Sequence, residues 1–290
     1  MCAAALFFMM TGGLVLAADT TEAEPVQAVA AATQTKAKTA QAAPVQQTYS
    51  LDLDTTKYEK KTMTVDGKKV AFRAYENRVY VAHPVDTTYQ SMNIYVPEGY
   101  FNGKTINGYT AKTAPIFLPN TVGGYMPGAP GQPSENDRMT GGANAMLVAL
   151  SKGYVVAAPG ARGRTTQAAD GTYTGKAPAL IVDMKAAVRY LRHNAGKLPG
   201  DTEKIISNGT SAGGALSTLI GATGDSKDYE PYLKALGAAD ERDDIYASSV
   251  YCPITDLDHA DMAYEWMFNG VNTYHQGNIC LLYTSPSPRD

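Results

Sequence analysis

The most chemically suggestive stretch of this 290-residue chain is Gly209-Thr210-Ser211-Ala212-Gly213. The G-x-S-x-G spacing is that of a nucleophile elbow, a sharp strand-to-helix turn that strains the backbone of its serine and exposes the hydroxyl. Small residues two positions to either side let strand and helix approach closely. The flanks fit: residues 204–207 (KIIS) read as a short apolar strand and residues 214–220 (GALSTLI) as helix-compatible. A serine so placed is suited to attack an ester carbonyl, provided that N–H donors receive the negative charge of the tetrahedral intermediate. The amide of Ala212, at the helix N-terminus, is one candidate donor. The other is expected in the loop after the third strand. That loop is residues 120–125 (NTVGGY), where Gly123 and Gly124 offer amides with no Cβ in the way, Gly124 slightly ahead. Each feature has a plainer reading, a Gly-rich turn with a solvated serine and an ordinary Gly-Gly turn. Their pairing favours the oxyanion hole.

The acid and base should follow in the order Ser…Asp/Glu…His. His83 and His193 precede Ser211; only His259 and His275 come after it. Asp256, Asp258 and Asp261 follow the expected strand at residues 245–253, but His259 is only three residues from Asp256, with no element between them to carry it across the serine. These residues are expected to start a helix, with Asp256 or Asp258 as N-cap, or to line a lid. Catalytic acid and base are expected beyond the sequence given. Arg162 and Arg164, at the end of the strand at 153–158, suit a structural loop role better than steering of an acidic or phenolic substrate. Cys252 is expected as a buried thiol.

These residues need a scaffold. Residues 62–82 alternate polar and apolar around the hairpin signal Asp66-Gly67, and residues 91–96 form a second alternating strand. Residues 114–118, 153–158 and 204–207 are nearly continuous apolar runs, suited to parallel strands buried on both faces. Between them, residues 143–150 read as a short helix. Leu180, Ile181, Met184, Ala187, Val188 and Leu191 recur at helical spacing, with Asp183, Lys185, Arg189 and Arg192 on other faces. Alternating strands and helices imply βαβ units, an α/β fold with a mostly parallel sheet.

Composition narrows the function. Lys+Arg is 25 and Asp+Glu 28, a formal charge of −3, with no basic excess to neutralise phosphates, so a nucleic-acid partner is not expected. Three cysteines and no paired Cys/His spacing exclude a disulfide scaffold and a structural zinc site, and no metal or organic cofactor is expected. Residues 1–18 read as a signal peptide, implying a secreted or cell-surface location and no membrane contact beyond export. Residues 19–48 lack Leu, Ile, Phe, Trp, Tyr and Gly and read as a disordered linker, leaving residues 49–279 as the folded part. Residues 280–290 (CLLYTSPSPRD) read, residue for residue, as a translated sequencing adapter, so the natural chain is expected to continue past Ile279 and to be C-terminally truncated here.

On these residues the chain resembles the esterase branch of the α/β-hydrolase superfamily, and more closely the bacterial tannases, tannin acyl hydrolases of subtype B. The segments that carry the likeness are residues 113–125 (TAPIFLPNTVGGY), 153–166 (GYVVAAPGARGRTT), 181–194 (IVDMKAAVRYLRHN), 208–214 (NGTSAGG) and 251–269 (YCPITDLDHADMAYEWMFN). The resemblance implies an α/β-hydrolase fold truncated before its last strands. It implies hydrolysis of galloyl esters, small phenolic substrates, with Ser211 as nucleophile and Gly124 and Ala212 at the oxyanion-hole positions. The family's Asp and His lie C-terminal to this sequence, so the fragment itself is expected to be inactive. The alternatives are a broader carboxylesterase for feruloyl or acetyl esters and a non-catalytic exported binding module.

Overall fold

An antiparallel hairpin opens the folded part. Strand β1 (Glu59–Val65) pairs with β2 (Lys68–Val79), and Asp66 (φ 49°) and Gly67 (φ 74°) make the two-residue connection, both in the left-handed region that a type I′ turn requires. The computed structural model describes residues 48–137, 141–259, 262, 266, 273–276 and 279–282. The chain divides into two units, Met1–Thr48 and Tyr49–Asp290. The expected signal peptide and nearly all of the expected linker lie outside the described residues, as do residues 283–290 of the tail.

The hairpin continues into β3 (Ser91–Pro97), and the sheet then becomes parallel through β4 (Pro115–Pro119), β5 (Val155–Pro159), β6 (Asp201–Thr210) and β7 (Ala247–Tyr251). The order across the sheet is β1-β2-β3-β5-β4-β6-β7. Strands β1, β2, β3 and β5 pair antiparallel in turn; β5, β4, β6 and β7 run parallel. The strand that comes later in the chain, β5, sits between β3 and β4. Parallel strands of this kind present their C-terminal ends along one edge, where open α/β sheets bind ligands. Strands β8 (Thr273–Gln276) and β9 (Ile279–Leu282) pair antiparallel as a separate two-stranded sheet.

Helices cover both faces. Helix α1 (Ala145–Ser151), capped by Asn144 Oδ1 accepting from Leu147 N at 3.0 Å, packs with Phe72, Tyr95, Val156 and Ala158 on one side. Helix α2 (Ala179–His193) packs Ile181, Met184, Val188 and Leu191 on the other, together with Ile116, Leu118 and Ile205 and with Leu216 and Ile220 of α3 (Ala212–Ala222).

One expectation changes here. Strand β3 was expected to alternate, yet all seven of its residues are buried. Its polar positions are covered rather than solvated: Asn93 donates to Gly131 O at 3.1 Å and Tyr95 Oη to Glu76 at 2.9 Å. The charged positions of α2, off its apolar stripe, are buried as well. Asp183 and Lys185 are 0% exposed, Arg189 5% and Arg192 7%. The segment after α3, including the short helix α4 (Glu230–Ala235), folds back over α2 and supplies partners. Asp243 receives Lys185 Nζ at 2.7 Å and Arg189 Nε at 2.8 Å; Arg192 Nη2 reaches Asp244 O at 2.7 Å. A buried charge survives only when paired in this way.

Candidate active site

Strand β6 ends at Thr210 and α3 begins at Ala212, so Ser211 alone makes the turn, with φ 59° and ψ −121°. For a residue with a Cβ this region costs about 1–3 kcal/mol and persists only where neighbours over-determine it. Here they do. Ser211 N donates to Tyr251 O at 3.0 Å, tying the turn to the end of β7, and Ser211 O accepts from Ala215 N at 3.0 Å, starting the helix. Among the described residues no hydrogen bond engages Ser211 Oγ, and the residue is half-buried.

The flanking glycines are required by space. A Cβ on Gly209 would overlap the carbonyl of Gly213 and lie 2.6 Å from Asn120 Nδ2. On Gly213 it would lie 2.5 Å from Asn120 Oδ1 and 2.6 Å from Val122 O; on Gly214, 2.9 Å from Tyr251 O. The motif is thus a close crossing of three segments: the β6–α3 turn, the loop after β4 and the end of β7.

Asn120 is the residue that sequence reasoning missed as a functional part. Its Nδ2 donates to Asn208 O (3.0 Å), Gly213 O (3.1 Å) and Ser217 Oγ (3.0 Å), and its Oδ1 accepts from Val122 N (3.2 Å). One side chain therefore fastens the start of the 120–125 loop to the strand before Ser211 and the helix after it. The available signal was an asparagine immediately following a buried strand. Beyond it Gly124 and Tyr125 both have φ 57°, and Met126 N donates to Gly123 O at 3.0 Å, a turn of the I′ kind. The amides of Gly124 and of Ala212 have no hydrogen-bond partner among the described residues. Two donors and one hydroxyl, unengaged among the described residues, thus lie past the C-terminal ends of the neighbouring strands β4 and β6. The Tyr125 phenol oxygen is buried with no partner among the described residues, and burial pushes its pKa up, so it stays protonated.

The remaining candidates separate. Arg162 is structural: its Nε and Nη2 meet the carboxylate of Asp183 at 3.0 and 2.8 Å, whereas Arg164 is exposed. Burial pushes the Asp183 carboxyl up, against the opposing pull of the Arg162 guanidinium. Cys252 is exposed, correcting the expectation of a buried thiol: it lies past the end of β7, on the sheet's C-terminal edge, with φ 43°. Asp256 and His259 form an exposed pair, Oδ1 to Nδ1 3.1 Å, that makes no hydrogen bond to Ser211. His193 faces Asp52 at 3.4 Å, and His83 packs against Gly237. His275 lies in β8, where its side chain is outside the description, and Asp261 is outside the described residues. No described histidine is bonded to the serine. Among the described residues no three His, Cys, Asp or Glu side chains cluster as a metal site.

Comparison with known proteins bears on this arrangement. The BD-FAE family model matches residues 127–276. A tannase of Fusobacterium nucleatum is 61% identical, with a TM-score of 0.74, over 78% of this chain and 47% of that one. A tannin acyl hydrolase in complex with ethyl gallate is 49% identical (TM-score 0.71, 81% of this chain, 51% of that one). Among curated proteins, Esterase LipQ of Mycobacterium tuberculosis is 30% identical over 90 residues, 31% of this chain and 20% of the relative. The sheet flanked by helices is that of these α/β-hydrolase-like structures, and the chain spans about half the length of the solved relatives it matches.

Proposed function

Because this chain belongs to the BD-FAE family, we propose that it is the nucleophile-bearing part of a serine carboxylic-ester hydrolase that cleaves galloyl esters. Ser211 Oγ adds to the ester carbonyl as its proton passes to a histidine. The carbonyl oxygen becomes an oxyanion held by the N–H groups of Gly124 and Ala212. The C–O bond to the alcohol breaks, the alcohol leaves with that proton, and water hydrolyses the acyl-enzyme to release gallate. The observation that carries this reading is the strained Ser211, its hydroxyl unengaged among the described residues, at the turn from β6 into α3 of a chain 61% identical to a tannase. The ethyl gallate bound by one relative supports the phenolic substrate class. In this reading the acid and base are supplied from outside the 290 residues given, and that chain alone turns over esters orders of magnitude more slowly than one that supplies them. Residues 1–18 direct export in this reading, so the enzyme works outside the cytoplasm.

The test fuses residues 49–276 to the portion of the F. nucleatum tannase that the chain does not cover. The chimera is expected to hydrolyse methyl gallate well above methyl ferulate, the unfused chain neither. The match to Esterase LipQ favours a second reading, a broader carboxylesterase. Equal rates on the two esters would select it, and gallate release by the unfused chain at ordinary enzyme rates would overturn the inactivity of the fragment.

A further inference from the structure

Asp183 is a carboxylate with no exposed surface in the second turn of α2, and its partners are Arg162, in the loop after β5, and Gln90, just before β3. Its Oδ2 accepts from both the backbone N (2.9 Å) and Nε (3.0 Å) of Arg162, and its Oδ1 from Arg162 Nη2 (2.8 Å) and Gln90 Nε2 (2.8 Å). Arg162 spends its remaining nitrogen, Nη1, on Thr174 O at 2.9 Å. Residue 162 is thereby fixed in main chain and side chain at once.

The segment so fixed lies directly on the candidate oxyanion loop. Ala161 and Gly128 exchange two backbone hydrogen bonds, at 2.9 and 3.0 Å. Arg164 N donates to Tyr125 O at 2.8 Å, next to Gly124. Gly163 abuts the backbone of Met126 and Pro127 so closely that a Cβ there would lie 2.7 Å from Met126 O, and one on Gly160 would lie 2.8 Å from Gly128 O. With main chain against main chain, a displacement of 161–164 is transmitted to 125–128 without a compressible side chain between them. Asn120 anchors the other end of the same loop. The turn carrying Gly124 is therefore held at both ends.

We propose that Asp183 is a positioning residue: acting through Arg162, it holds the 125–128 segment and thus sets where the Gly124 amide stands relative to Ser211. The inference rests on the reading of Gly124 as an oxyanion donor, but its test does not need turnover. A second buried charge cluster on the same helix, Lys185 and Arg189 with Asp243, serves as the control, because Asp243 ties α2 to residue 225 and not to the oxyanion loop.

The experiment is amide hydrogen exchange and 15N-glycine NMR on the 290-residue chain. Asp183→Asn keeps the side-chain size but leaves the buried guanidinium uncompensated, and exchange across residues 122–128 is expected to rise at least about tenfold. The Gly124 cross-peak should shift and broaden. Arg162→Lys keeps the charge but loses the two-pronged geometry and should give a smaller rise in the same segment; it decides the matter if Asp183→Asn fails to fold. Adding Arg162→Gln to Asp183→Asn removes the stranded charge and should recover part of the protection. Asp243→Asn should raise exchange around residues 223–245 and leave the Gly124 peak in place. The proposal is overturned if Asp183→Asn and Arg162→Lys leave 122–128 and the Gly124 peak unchanged, or if Asp243→Asn disturbs them equally. A clamp that behaves as described in a chimera that releases no gallate would count against the proposed function instead.

Discussion

Replacing Gly213 by alanine sets two known effects against each other. Within a helix alanine is favoured over glycine by at most about 1 kcal/mol, and Gly213 stands in the first turn of α3. At this position the new methyl group would sit 2.5 Å from Asn120 Oδ1 and 2.6 Å from Val122 O. Ordinary van der Waals contact needs close to 1 Å more, and neither oxygen is the loose end of a flexible chain. Asn120 is fixed by the bonds its Nδ2 donates to Asn208 O, Gly213 O and Ser217 Oγ, and Val122 O is main chain. Overpacking of this kind costs about 1–3 kcal/mol, and displacing the Asn120 amide weakens the hydrogen bond to Val122 N by about 1 kcal/mol more. The net expectation is a loss of about 2 kcal/mol, a fall in Tm of about 4–8 °C for a domain of this size. The matched control is Gly123→Ala, where a Cβ meets nothing within 4 Å and which should be neutral within about 0.5 kcal/mol. Thermal unfolding followed by circular dichroism compares the two. If Gly213→Ala melts at or above the parent temperature, the close crossing of loop and elbow is not the constraint described.

Three further substitutions test the surroundings. Asn120→Ala removes the side chain that joins loop, strand and helix and should cost about 2–3 kcal/mol in urea unfolding; a loss below about 0.5 kcal/mol would mean that the bridge does not hold the loop. Asp243→Asn strands the buried Lys185, leaves Arg189 with Glu230 alone, and should destabilise by about 3–5 kcal/mol, an effect that an unchanged urea midpoint would contradict. The hydrogen bonds from Arg73 hold the Glu98 carboxyl below its ordinary range, so its stabilisation is present above the unfolded-state pKa and fades as pH falls through the folded one. Glu98→Gln should therefore lower stability at pH 7 by about 1 kcal/mol or less and converge on the parent as pH falls below the folded-state pKa of Glu98, as Tm measured across pH would show.

Local pattern carried most of the architecture. The Asp66-Gly67 turn, the apolar runs that became β4 and β5 and the strand–serine–helix sequence around Ser211 were all readable, because each is set by residues within a few positions of one another. What local pattern misjudged was decided by distant segments. The charged positions of α2 lie off its apolar stripe, and only distant segments cover them, the chain after α3 for Lys185, Arg189 and Arg192 and the loop after β5 for Asp183, just as the loop carrying Gly131 closes over Asn93 of β3. Cys252 lies just past the strand end, where apolar context suggests burial, but the backbone turns at φ 43° and leaves it exposed. The site divides in the same way. The strand–serine–helix turn and the Gly-Gly loop are each local patterns, whereas the contacts of Asn120 with Gly213 and of Arg162 with Asp183 span 93 and 21 residues of sequence.

The central claim is that Ser211 is the atom-donating centre of an acyl transfer, and covalent capture tests it most directly. The chimera carrying residues 49–276 is exposed to a fluorophosphonate and mapped by peptide mass spectrometry. A single adduct on the peptide containing Ser211, abolished together with methyl gallate hydrolysis by Ser211→Ala, is the predicted result. An active chimera whose adduct lies on another residue, or whose gallate release survives Ser211→Ala, would contradict it.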